Sequence, residues 1–157
     1  MKAATVNDIK QELGNIPAGQ LTDICLRLAK FKKENKELLT YLLFEAYDEP
    51  AYIASVKKEM DEHYAAINDS SLYFAKKSLR KILRIANKHV RYIGSKQSEV
   101  ELLLHFCIKL KKSGIAFEKS TVLKNMYAQQ IKKINAGIST FHEDLQYDYL
   151  KDLKSLD

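Results

Sequence analysis

The chain has 157 residues, of which 46% are hydrophobic, and its formal net charge is +6. This length and apolar content predict one globular domain with a buried core, over residues 1–157. No segment approaches the roughly 18 uncharged apolar residues of a membrane-spanning helix, and the amino-terminal sequence lacks the apolar run of a secretory signal, so we expect a soluble, cytoplasmic protein without membrane insertion.

Glycine, proline and capping residues delimit the first predicted helices. Thr5 and Asp8 favour the start of a short first helix, which Gly14 ends. The turn at residues 17–19 precedes a second helix, and Asn35 is the predicted N-cap of a third. The sequence therefore begins with three short helices.

Stronger start signals follow in the middle of the chain. Asp48 with Pro50 two residues later is typical of a helix start, and this fourth helix ends before the polar cluster at residues 68–71. That cluster opens a fifth helix, which ends near Gly94. Ser95 then opens a sixth helix.

The last predicted helices begin with hydroxyl side chains. Ser120 opens a seventh helix, and Gly137 is expected to interrupt it. Thr140 and Glu143 have the spacing of a capping box for a final helix. Because sustained period-2 alternation is absent, we predict an all-α fold of seven or eight helices.

Short connections arrange these helices as antiparallel hairpins over about 19–46, 50–93 and 96–136. The spacing of about forty residues lies near that of HEAT and armadillo arrays. However, the hairpins share little sequence similarity. A compact bundle and a short HEAT/armadillo-like α-solenoid therefore both remain open.

The fifth helix has the most informative charge pattern in the chain. Residues 70–98 contain eight Lys or Arg and no acid, so the remainder of the chain nets −2 of the total +6. At about 100° per residue, seven of these cations occupy one arc of roughly 140°, separate from the apolar arc. The seven are Lys76, Lys77, Arg80, Lys81, Arg84, Lys88 and Arg91.

Acidic residues precede this helix, at residues 45–69. If the fourth and fifth helices bury their apolar stripes in one core, most of their charges point outward. We expect only edge pairs, such as Glu59 with a flanking lysine, and exposed pairs are worth at most about 1 kcal/mol. Much of the positive face should therefore stay available.

Tyrosines near the positive face bear on nucleic-acid binding, because exposed aromatic rings can stack on bases. Tyr73 projects into the basic arc, whereas Tyr92 lies near its far edge. Four other tyrosines are expected at the rim of the core, with buried rings and exposed hydroxyls. They are Tyr41, Tyr47, Tyr52 and Tyr64.

Cysteines and histidines give no sign of a metal or cofactor site. Cys25 and Cys107 stand alone among apolar residues and are expected to be buried, unreactive thiols. The four histidines lack metal-ligand spacing. His63 and His105 each follow a glutamate by four residues, which predicts surface hydrogen bonds to Glu59 and Glu101 rather than catalytic pairs.

No catalytic motif is present either. The five glycines are dispersed, which excludes a phosphate-binding loop, and neither a Gly-x-Ser-x-Gly elbow nor a kinase signature occurs. We therefore expect a protein that is not an enzyme and needs no cofactor.

Two functions fit these observations, and a third interpretation is that the lysines only solvate a surface helix. The first is a non-enzymatic interaction or scaffold module whose basic helix binds an acidic protein partner. The alternative is a nucleic-acid-binding protein that contacts phosphates through the same residues and Tyr73. Because the face lacks interspersed Asn or Gln to read adenine, such binding would tolerate any sequence.

Overall fold

The computed structural model describes residues 1–157, and its regular structure consists of helices only. The eight α-helices are α1 (Val6–Asn15), α2 (Ala18–Phe31), α3 (Lys33–Thr40), α4 (Glu49–Ala65), α5 (Leu72–Ile93), α6 (Lys96–Lys112), α7 (Thr121–Ile138) and α8 (Glu143–Lys154). A π-helical turn follows α3 at Tyr41–Glu45, and 3₁₀ turns occur at Ala46–Asp48 and Phe117–Lys119. The predicted all-α class with seven or eight helices is confirmed. None of the helices combines the length and apolar character needed to cross a bilayer.

The chain divides into two compact units, Met1–Glu45 and Ala46–Asp157. The smaller unit contains α1, α2 and α3, and in it α2 packs against α3. Its only buried residue is Tyr41. The larger unit contains α4 to α8 and holds almost all of the buried apolar residues. The single domain expected from the length, and the choice between bundle and solenoid, stay predictions.

Local capping signals fix most helix starts as expected. Thr5 and Asp8 form a reciprocal capping box at α1, and the Asp48 carboxylate accepts a hydrogen bond from the backbone N–H of Ala51 at α4. The hydroxyls of Ser71, Ser95 and Ser120 cap α5, α6 and α7 in the same way. These side chains satisfy N–H groups that have no partner within the helix.

Two predicted caps are wrong. Asn35 does not cap α3, which begins at Lys33; its side-chain amide donates instead to the carbonyl of Leu28, at 2.9 Å. Thr140 does not form a capping box at α8, because its hydroxyl donates to the carbonyl of Gly137, and His142 takes the N-cap position.

The larger unit is organised around α6. Hydrogen bonds join Lys57 to Glu101 and Tyr64 to Phe106. Because a later residue of α4 pairs with a later residue of α6, these two helices run parallel. Tyr52, near the start of α4, contacts His89, near the end of α5, so α5 runs antiparallel to α4. Eight residues of α6 are buried, which makes it the central helix of the core.

Gly137 does not interrupt α7, which continues to Ile138. The glycine is buried where α7 packs on α6, and a Cβ atom placed on it would lie 2.5 Å from Cγ2 of Val100. Val100 is fully buried, and its β-branched side chain has little rotamer freedom with which to move away. The residue that looked like a helix break therefore permits close contact between two helices.

Gly137→Ala is accordingly expected to destabilise the fold. The overpacking costs about 1 to 3 kcal/mol, which exceeds the gain of up to about 1 kcal/mol from better helix propensity. Chemical denaturation monitored by circular dichroism measures the change. Gly14→Ala is the control, since a Cβ atom at that position would have no neighbour within 4 Å. Equal effects of the two substitutions would contradict the role given to Gly137.

Candidate functional site

The predicted site residues of helix α5 lie along one side of that helix, in the larger unit. We call this side the basic surface; it comprises Tyr73, Lys76, Lys77, Arg80, Lys81, Arg84, Lys88 and Arg91. Tyr73 and five of the cations are exposed, whereas Lys76 and Lys88 are partly buried. The structure thus places all eight predicted residues on one helix, and none of them in the buried core.

The core residues of α5 explain why these cations point outward. Ala75, Leu79, Ile82 and Ala86 are essentially inaccessible to solvent and lie in the predicted apolar arc. Burying this stripe fixes the rotation of the helix about its axis. The Ser71 cap and Gly94, which ends α5 in the left-handed conformation with φ of 71°, fix its length.

The ion pairs of Asp61 and Glu59 on α4 do not include the exposed cations of the basic surface. Asp61 lies 2.7 Å from Nε2 of His105 and 3.0 Å from Nζ of Lys109, both on α6. Glu59 lies 3.5 Å from Nε2 of His89 rather than against a lysine. No ion pair of the structure includes any of the five exposed cations, Lys77, Arg80, Lys81, Arg84 and Arg91.

An aromatic pair lies at the amino-terminal end of the basic surface. The rings of Tyr73 and Phe74 meet edge to face with centroids 5.5 Å apart, and their residues are 67% and 47% exposed. The ammonium group of Lys76 lies 5.8 Å from the Tyr73 ring centroid. Apolar rings exposed beside unpaired cations provide both an anchor and an electrostatic contact for a partner.

The sequence did not point to Phe74 as a site residue. At 100° per residue it lies just outside the basic arc, next to Lys81, and an isolated phenylalanine in an amphipathic helix usually belongs to the core. Tyr92, in contrast, is expected near the edge of the basic arc but is buried in the structure. Tyr73 is therefore the only tyrosine on the basic surface.

No family model, curated protein or solved structure matches the chain.

Cys107 and Tyr64 lie in contacts between helices, whereas Cys25 is only partly buried, contrary to expectation. Burial raises the pKa of the Cys107 thiol to about 12, and the buried Tyr64 hydroxyl donates to the carbonyl of Phe106 at 2.8 Å. Tyr64 and Tyr52 fit the predicted core rim, although both hydroxyls bond to protein, whereas Tyr41 is buried and Tyr47 is exposed. No three His, Cys, Asp or Glu side chains come together as ligands for a metal ion.

The predicted glutamate–histidine pairs within helices are wrong. Glu101 bonds to Lys57, and His105 bonds to Asp61, in both cases between α4 and α6. His89 also reaches α4, through the Tyr52 hydroxyl at 2.7 Å. Polar contacts between helices therefore replace the expected surface pairs.

The partial burial of His105 makes stability depend on pH. Burial lowers the pKa of His105 below its ordinary value of 6.5, although the Asp61 carboxylate opposes this shift. Below about pH 6.5 the unfolded chain therefore binds a proton more readily than the folded chain does at this position. The free energy of unfolding should fall as the pH drops from about 7 to 5.

In the His105→Gln variant we expect the free energy of unfolding to fall less steeply over this pH range, because the imidazole with the lowered pKa has been removed. Denaturant titrations at several pH values measure the slope. The native chain, titrated over the same pH range, gives the reference slope. If His105→Gln keeps that slope, His105 does not contribute to the pH dependence.

Proposed function

We propose that the protein is a non-enzymatic interaction module of the cytoplasm that binds an acidic protein segment on the basic surface of α5. The observation that supports this most is the set of five exposed cations without an ion-pair partner, next to the exposed Tyr73–Phe74 pair. Interfaces draw much of their affinity from aromatic and arginine side chains, and charge complementarity speeds and directs association. Both cysteines are free thiols, which fits a reducing compartment.

The aromatic pair favours a protein segment over nucleic acid. A binder of single-stranded nucleic acid interleaves several rings with its cations so that successive bases can stack. Here the rings are confined to one end of the surface, and no further exposed ring accompanies the cations toward Arg91. A segment with carboxylates along its length and one apolar residue at the end matches that layout.

Two defined probes separate these possibilities. One is a peptide with several Asp and Glu residues and one Leu, and the other is an oligothymidylate of equal net charge. We expect the peptide to bind in a one-to-one ratio, with loss of affinity when its Leu is replaced by Ser. Calorimetry measures both properties. Preferential binding of the oligonucleotide, or copurification of nucleic acid without nuclease, would instead support the phosphate-binding alternative.

A further inference from the structure

The exposed apolar and aromatic side chains of the larger unit concentrate on two helices. Six large side chains of this kind are exposed in Ala46–Asp157. Two of them, Tyr73 and Phe74, lie at the amino-terminal end of α5, and two others, Tyr147 and Leu150, lie on α8. Exposed apolar side chains that are bordered by charged ones mark sites of association. The larger unit therefore has a second candidate contact surface, on α8.

The exposed ring of α8 is surrounded by carboxylates. We call four exposed residues the acidic patch: Glu143, Asp144, Tyr147 and Asp148. At 100° per residue they span about 140° of the helix, opposite Tyr149 and Leu153, which pack against the core. Residues 143–150 include no Lys or Arg. Asp144 pairs only with the exposed His142, at 3.7 Å, and the other two acids form no ion pair.

The acidic patch does not cover the basic surface of its own chain. Both lie in the same compact unit, both include exposed side chains, and no ion pair or ring contact joins them. The smaller unit is not an acidic partner either, because its seven cations and six acids net +1. The acidic patch of a second copy is therefore the complementary partner that this chain itself supplies.

We infer that the chain self-associates, with the acidic patch of one copy bound to the basic surface of the next. The inference rests on the proposed function, since it identifies the acidic segment that the basic surface binds. Tyr147, 72% exposed, provides the aromatic contact for the Tyr73–Phe74 pair. Three carboxylates beside it face the cations that follow this pair on α5.

The spacing of the charges selects an antiparallel arrangement of the two helices. At about 1.5 Å per residue, Asp144 lies about 4.5 Å from Tyr147 toward the start of α8. Lys77 lies about 6 Å from Tyr73 toward the end of α5. With the rings in contact, an antiparallel pairing therefore brings the Asp144 carboxylate to the Lys77 ammonium group.

Lys151 supports the same direction. It lies one turn beyond Tyr147 toward the end of α8 and is exposed. The antiparallel arrangement directs it past the start of α5, which the exposed Asp69 precedes. A parallel arrangement would instead place Lys151 beside Lys77, and adjacent like charges disfavour such a contact.

Sedimentation equilibrium of the full chain at low ionic strength tests the inference. We expect a mass that rises with concentration above the 18.1 kDa of one chain. Asp144→Lys combined with Asp148→Lys should weaken the association on the order of ten-fold or more, because attractions become repulsions. Glu12→Lys combined with Glu62→Lys is the control: both acids are exposed and form no ion pair, and the net charge changes equally.

An exchange of charges between two variants makes the test specific. A chain with Lys77→Glu and Lys81→Glu presents two acidic surfaces, and the Asp144→Lys, Asp148→Lys chain presents two basic ones. Neither should self-associate, whereas an equimolar mixture should, because each reversed surface then meets one of opposite charge. Unfolding of either variant cannot produce this result. Tyr147→Ala should also weaken self-association, since alanine favours the helix but removes the ring.

Three outcomes overturn the inference. One is a native chain that remains monomeric at about 300 μM, well above the Kd of a micromolar contact. The second is a mixture of the two reversed variants that does not associate. The third is an equal loss of association in the Glu12 and Glu62 control, which would show that only the net charge matters.

The proposed function is tested separately in the same chains. The Asp144→Lys, Asp148→Lys variant keeps the native basic surface, so it should bind the acidic peptide that contains Leu. Calorimetry measures this binding. A native chain that stays monomeric but binds the peptide retains the proposed function and loses the self-association. Failure of this variant to bind the peptide would contradict the proposed function itself.

Discussion

We expect Leu79→Ala to lower the free energy of unfolding by about 2 to 5 kcal/mol. Leu79 is fully inaccessible at the centre of α5 and belongs to the main apolar cluster with Ile82 and Leu103. Truncation removes buried methyl groups and leaves a cavity that tightly packed neighbours cannot close. For a domain of this kind, such a loss is a large share of the total stability.

Lys77→Ala is the matched control, two residues earlier on the same helix. Its side chain is exposed and forms no ion pair, so we expect a change within about 0.5 kcal/mol. Denaturant titrations followed by circular dichroism compare the two variants. If they are equally destabilised, the division of α5 into a buried stripe and a basic surface is wrong.

Features that depend on neighbouring residues were predictable from the sequence. The starts of α4 and α5 follow from Asp48 and Ser71, because a cap acts within one turn of its own helix. The outward rotation of the cations on α5 follows from its apolar spacing for the same reason. Helical geometry alone was enough to define the basic surface.

Features that depend on contacts between helices were not predictable in this way. Gly137 reads as a break because glycine lowers helix propensity, and only the approach of Val100 explains why it lies inside α7. His105 has a glutamate four residues earlier, yet it pairs with Asp61 on α4, since α4 and α6 run parallel. A single sequence does not reveal which helices become neighbours.

The exposure of Phe74 depends both on local helical geometry and on contacts between helices. Its position beside the basic arc could be calculated, but its exposed state depends on what α5 packs against. The same is true of α2, where Leu21 and Leu28 have the spacing of a core stripe but are exposed in the structure. Amphipathic spacing predicts that a face will be buried, but not whether another helix covers every position of it.

Charge reversal on the basic surface should have the largest effect on binding. Reversing Lys77, Lys81 and Arg84 to Glu replaces three attractions to an acidic segment by repulsions. If each exposed pair contributes up to about 1 kcal/mol, the loss is about 3 kcal/mol, or roughly 100-fold in Kd. The fold should be retained, because all three side chains are exposed and glutamate is a good helix former.

The matched control reverses three lysines elsewhere. Lys124, Lys132 and Lys133 on α7 are also exposed and unpaired, so their reversal to Glu changes the net charge of the chain by the same amount. It should leave most of the affinity for the acidic peptide intact. Equal losses in the two triple variants would mean that only the net charge matters, and the basic surface would not be a specific site.

Salt distinguishes the two classes of partner. At about 1 M salt the screening length is only about 3 Å, so contacts between exposed charges contribute little. A protein segment anchored on Tyr73 and Phe74 should keep weak binding under these conditions, and Tyr73→Ala should remove it. For a phosphate ligand, the logarithm of the binding constant should instead fall linearly with the logarithm of the salt concentration. The magnitude of this slope should decrease by about one for each reversed contact. Unchanged affinity of the Lys77, Lys81 and Arg84 variant for every acidic ligand would show that the cations only solvate the helix.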